Sequence, residues 1–302
     1  MILLALPLNF KIHMHRSIHR LALILFAALL LQSCSAVRLG YSNADSLARW
    51  SIDQYLDLSP EQDALTRERL TRLLSWHRKT QLPDYVTVLR QGKDFAAGQP
   101  TVSDALTLGD DLIRRVRVVA DQTTPDIADL MATLTPAQID RMAARFADKN
   151  IDLAKDMRLA EGEAAQHKVR YKRLLERSEY WFGDFSSEQE NALRRMVEAQ
   201  DPGSQFWFEE RLRRQRELVD LMRQVQRERP PRERIIKLLR DYTARFDLPS
   251  DPARLARALA MRRASAELSV AIHAMTTPAQ RAHARQKLDD LIHDMAELSK
   301  AE

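Results

Sequence analysis

Cysteine is almost missing from this chain, with one, Cys34, in 302 residues. A lone thiol excludes an internal disulfide framework and any metal centre built on several thiolates. Glycine is scarce as well, at seven residues, and no stretch alternates β-branched and polar residues for long enough to argue a strand. The longest apolar run, Leu21 to Leu31, would span about 16 Å as a helix, roughly half a bilayer core, so it is too short for a transmembrane anchor. Also missing are a His-Glu-x-x-His run, a Gly-rich phosphate loop and a Gly-x-Ser-x-Gly turn, which leaves the chain without a recognisable motif for metal, nucleotide or acyl chemistry.

The short apolar run has a meaning of its own. His15, Arg16, His19 and Arg20 precede it, and Met14 makes a better start than Met1, so residues 1–33 read as a signal peptide and stand outside the fold. The segment ends in Leu31-Gln32-Ser33-Cys34, which resembles the lipobox of bacterial lipoproteins; Gln32 stands where Ala, Ser or Thr is commoner. The resemblance implies cleavage before Cys34, lipid attached at Cys34, and membrane association through that lipid. Ser35 in place of Asp implies sorting to the periplasmic face of the outer membrane. Residues 34–42 then read as a tether of at most about 28 Å. Tyr41 near its end and Trp50 beyond it read as core residues or, alternatively, as rings at the headgroups.

Charge is informative once the leader is set aside. The whole chain carries +5, but residues 1–33 hold Lys11, Arg16 and Arg20 and no acid, which leaves 44 basic against 42 acidic residues. That near-balance removes the main argument for a nucleic-acid partner.

What remains is helical. Ser59-Pro60, Thr124-Pro125, Thr135-Pro136, Asp201-Pro202, Asp251-Pro252 and Thr277-Pro278 each place a capping side chain before a proline, the usual order at a helix start. These signals predict helices at about 43–56, 60–80, 84–97, 102–122, 125–132, 136–182, 187–200, 202–228, 232–245, 252–274 and 278–299. The fold class is therefore all-α: an extended multi-helix bundle without a sheet, a single domain over 43–302 or two lobes joined by the long helix 136–182. That helix would run about 70 Å, with Asn150 and His167 interrupting its apolar seam. A break near Ala160–Glu163, beside Gly162, is the alternative.

Four helix starts share a longer pattern: LSPEQ at 58–62, LTPAQ at 134–138, FSSEQ at 185–189 and TTPAQ at 276–280. Gln three residues after Ser or Thr completes a capping box, so helix initiation alone accounts for the pattern. The pentapeptides also resemble the LTxxQ signature of the Spy and CpxP type periplasmic chaperones, which implies a helical surface that holds unfolding clients. Over a longer span, CSAVRLGYSNADSLARWSIDQYLDLSPEQ and then LLSWHRKTQLPDY at 73–85 are similar to an uncharacterised family of proteobacterial lipoproteins. That resemblance implies export, lipidation and an all-helical fold, and no activity.

Candidate chemistry is sparse. His77 sits with Leu70, Leu73 and Leu74 at helical spacing, as a histidine at a core edge or, less simply, as a general base. His273, His283 and His293 are ten apart, which suits no metal pair. Asp110-Asp111, Glu209-Glu210 and Asp289-Asp290 point to different helix faces and read as solvated surface. Between Arg211 and Lys237, ten basic residues face four acids, a stretch suited to anionic lipid, cell wall or a salt-bridged helical face. Tyr180-Trp181-Phe182 and Phe206-Trp207-Phe208 read as packing anchors. The chain therefore predicts no catalytic, cofactor or metal residue. The expectation is a non-catalytic binding or chaperone-like scaffold with protein clients. An envelope protein binding cell wall or anionic lipid through 211–237, and a hydrolase with an unrecognised site, are the alternatives.

Overall fold

The computed structural model describes residues 36–300; the leader 1–33 and Cys34 lie outside the described residues. The described residues fall into two units, divided between Ala44 and Asp45. In the first unit Ala36–Ser42 forms a helix, α1. Most of the described part of the tether is thus helical, and the Asn43 side-chain amide donates to the Leu39 carbonyl at 2.8 Å, closing the C-terminal end of α1.

Among its described residues the second unit is built of helices joined by turns and short loops, with no strand. The helices are α2 (Ala44–Leu56, beginning at the boundary), α3 (Pro60–Trp76), a π-helical turn (His77–Gln81), α4 (Leu82–Ala97), α5 (Val102–Thr133) and α6 (Pro136–Asp156). A 3₁₀ turn (Leu159–Glu161) leads into α7 (Glu163–Phe182), α8 (Ser187–Glu198), α9 (Ser204–Glu228), α10 (Arg232–Thr243), α11 (Pro252–Ala274) and α12 (Pro278–Lys300). The predicted all-α bundle is what forms. None of these helices is long and apolar enough to cross a membrane.

Three boundaries differ from expectation for local physical reasons. The long helix 136–182 is not continuous: Arg158 adopts a left-handed conformation (φ 55°) and Gly162 lies at φ 85°, ψ 174°, a region that only glycine occupies without strain. Pro125 does not start a helix but lies inside α5. It removes one backbone bond, yet Thr124 and Ala128 beside it are 1% and 0% exposed, so packing carries the helix through. Helix α9 begins two residues after Pro202, because Gly203 turns through φ 69°.

Three apolar cores hold the unit together. The first joins Leu56 of α2, Ala128 and Met131 of α5, Ile139 of α6, Val225 of α9 and Leu239 of α10. The second joins Tyr171 of α7, Leu193 and Val197 of α8, and Leu268 and Ile272 of α11. Leu193 and Val197, one helical turn apart, are both fully buried; each contributes about 1.5–3 kcal/mol over its exposed state. A helix of only twelve residues depends on that burial. The third core is the seam between α4 and α12, where Ala96 meets Ala284 and Leu288.

Candidate functional site

All four repeated pentapeptides form capping boxes. In α3, α6 and α8 the side chains of Ser59, Thr135 and Ser186 accept from the backbone N–H of the Gln three residues on, and that Gln reaches back to the cap N–H. Thr277 and Gln280 make the same two bonds, at 2.9 and 3.2 Å. The four then combine as two pairs. Gln62 and Gln138 exchange side-chain hydrogen bonds at 3.3 and 2.6 Å, and Gln189 and Gln280 do so at 2.8 and 3.1 Å. Each Gln amide also donates to the carbonyl two residues before its partner's cap: Gln62 to Thr133, Gln138 to Asp57, Gln189 to Met275 and Gln280 to Asp184. One residue type at one offset therefore caps its own helix and clasps the start of another.

The first clasp stands beside an unpartnered apolar face. Helix α5 turns Leu112, Val116 and Ile127 to one side, at 50%, 61% and 45% exposure; at 100° per residue these positions and Leu130 lie within about 60° of one another. The stripe runs into a cavity of about 200 Å³ between α2, α3 and α5, walled by Ile52, Leu65, Leu70, Leu73, Ile127 and Leu130. Thr66 lines the same cavity. It is 5% exposed, and its hydroxyl has no hydrogen-bond partner among the described residues. A helical Thr ordinarily bonds back to a preceding carbonyl, and leaving such a group buried and unsatisfied costs about 1–3 kcal/mol.

The residues singled out for chemistry take structural places. His77 opens the π-helical turn and shares a 3.1 Å hydrogen bond with the Tyr85 hydroxyl. Burial lowers its pKa. The nearby Asp84 carboxylate is held by Arg115 at 2.8 Å. His273 is buried and bonds the Ala96 carbonyl at 3.2 Å, edge-on to Phe95 and Phe182; His283 bonds the Trp181 carbonyl at 2.9 Å. Among the described residues no group of three or more His, Cys, Asp or Glu is placed to hold a metal. Five of the six adjacent acids meet a cation: Asp110 with Arg262, Asp111 with Arg114, Glu209 with Arg254, Glu210 with Arg213 and Arg254, and Asp289 with Lys93, while Asp290 accepts from the Gln286 side-chain amide. Asn150 and His167 do not interrupt one seam. Asn150 bonds Gln215 and Arg211, while His167 bonds the Gln200 carbonyl.

The basic stretch is dispersed in the same way. Arg213 pairs with Glu210 and Glu217, Arg223 with Asp140, Arg232 with Asp129 and Lys237 with Asp241. Arg211, Arg214 and Arg229 donate to Asn150 and to the Phe246 and Ala132 carbonyls. Of the aromatic anchors, Phe206 and Phe182 pack into the interior, whereas Tyr180 is 53% exposed. Trp50, read first as a core residue, is 63% exposed, one turn from the exposed Leu47.

The apolar spacing of Leu112, Val116 and Ile127 is legible along the sequence, but their exposure depends on which neighbours α5 acquires. No curated protein and no solved structure matches the chain. Residues 54–246, well over half of the sequence and including the whole first clasp, match the family described as "Family of unknown function (DUF6279)", and the chain belongs to that family.

Proposed function

We propose that this protein is a lipid-anchored, non-catalytic scaffold at the periplasmic face of the outer membrane that holds extended apolar segments of other, non-native polypeptides. The observation that carries the reading is the α5 stripe and its cavity, where an apolar wall surrounds the unsatisfied Thr66 hydroxyl. An extended polypeptide offers apolar side chains for the wall and a backbone N–H or C=O for the hydroxyl, a combination that a purely aliphatic ligand lacks. The lipobox supports the anchor, and the likeness of the clasp pentapeptides to LTxxQ motifs supports the client class. Binding to cell wall through 211–237 is less well supported, because seven of its ten cations already serve internal contacts.

The test is suppression of aggregation of a denatured client at equimolar ratio. The parent chain should slow aggregation, and Leu112→Ser with Val116→Ser and Ile127→Ser should abolish the effect. Thr66→Val should raise the melting temperature while weakening client holding, since it removes the unsatisfied hydroxyl at constant shape. Unchanged holding by both variants would overturn the reading. Cys34→Ser should leave an unprocessed precursor without incorporated palmitate.

A further inference from the structure

A second cavity, of about 590 Å³, lies between α7 and α11 and is closed at one end by the turn between α8 and α9. Its two long walls have opposite characters. On α7 the groove-facing residues include Arg170, Arg173 and Arg177, spaced three and four apart so that they share one face. On α11 Ala260, Ala264, Ser265 and Ser269 face the same space. Side chains this small leave room between the helices, and Met157, Leu174, Leu268 and Trp207 supply apolar surface around it.

The charges do not balance. Among the described residues Asp201 is the only acid lining the groove, against Arg170, Arg173, Arg177 and Arg257. Arg257 takes up Asp201 at 2.9 Å. Arg170 is half-buried and donates to two neutral acceptors, the Asp201 carbonyl at 2.9 Å and the Gln200 side chain at 2.7 Å. Arg173 reaches only the Asp156 carbonyl, at 3.5 Å, and Arg177 has no partner among the described residues. These two guanidinium groups, one helical turn apart, thus have no carboxylate partner among the described residues and can take an anion beside the apolar surface of the groove.

We infer that this groove binds a single-tailed phosphate-monoester lipid, with its headgroup on Arg173 and Arg177 and its acyl chain along the small-residue face of α11 toward Trp207. A phosphate monoester carries about −1.5 to −2 at neutral pH, which matches two free cations better than a single carboxylate does. Guanidinium groups bind such oxygens bidentately. The volume lies within the ordinary range for small-molecule sites, whereas a folded protein partner would need about 800 Å² of surface on this face. The inference is independent of the α5 stripe, which lies on other helices.

The experiment is calorimetric titration of the full chain with oleoyl lysophosphatidic acid below its micelle concentration. Saturable one-to-one binding is expected, with an affinity that falls as salt rises. Arg173→Ser with Arg177→Ser should weaken it about tenfold or more, at an unchanged melting temperature because both side chains are exposed. Ala264→Leu should block the lipid while leaving the melting temperature within a few degrees. Equal binding by oleate or by dodecyl maltoside would overturn the headgroup assignment, and equal binding by inorganic phosphate would overturn the tail. Binding of an acidic, apolar peptide in place of the lipid, or parent-like binding by the double Arg variant, would overturn the inference as a whole.

Discussion

Glu210 is 1% exposed, and its charge persists because two arginines share it. Oε1 accepts from Arg254 Nε at 2.5 Å, and Oε2 accepts from Arg213 Nε and Nη2 at 2.9 and 2.8 Å. Burial by itself raises the carboxyl pKa; the hydrogen bonds from Arg213 and Arg254, with their charges, more than offset it, so the net shift is downward. Phe206, also buried, lies under Arg254 and Arg257 and keeps the pair beside apolar surface. Glu210→Ala leaves two cations facing an empty pocket and should cost roughly 3 kcal/mol by chemical denaturation at pH 7. A carboxyl whose folded pKa lies below its unfolded value of about 4.3 contributes its stability above that value and loses it as the pH falls through the depressed one. The gap in stability between the parent and Glu210→Gln should therefore be widest near neutrality and close in acid, as denaturation midpoints across pH 3–7 will show. In the sequence Glu209 and Glu210 look alike; only Glu210 is buried, because α9 turns it toward α11.

At the scale of single elements, helix starts were legible and helix partners were not. Ser59, Thr135, Ser186 and Thr277 announce themselves because a cap, a proline or acid, and a Gln three residues on act within one turn. Thr124-Pro125 carries the cap and proline of that signal, with Ile127 where the Gln would stand, and misleads, since the burial of Thr124 and Ala128 is decided by other helices. The break after α6 carried only half a signal: Gly162 marks it, but the left-handed Arg158 has no marker in residue type. The exchange of bonds between glutamines 76 and 91 residues apart has no local trace. It is nevertheless measurable. Gln189→Ala and Gln280→Ala should each destabilise by about 1–2 kcal/mol, and the double variant should show about 1 kcal/mol of coupling. Gln62→Ala with Gln280→Ala, which belong to different clasps, should be additive within about 0.5 kcal/mol.

Over the whole molecule, the seam between α4 and α12 ties an early helix to the last one, and the second core needs α11 to cover α7 and α8. The family match ends at residue 246, before either of these later helices begins. It encloses both halves of the first clasp, but of the second it holds Gln189 and omits Gln280. A chain ending at Phe246 would keep the sequence shared with the family and would uncover Leu193, Val197 and Tyr171, which are closed over by Leu268 and Ile272 in the full chain. Such a truncation should bind a hydrophobic dye and yield to protease along α7 and α8, while Leu56, Ile139 and Val225 stay protected from hydrogen exchange. The stretch that marks common ancestry and the stretch that folds as one piece thus have different ends, and the half-enclosed glutamine pair shows where the second outruns the first.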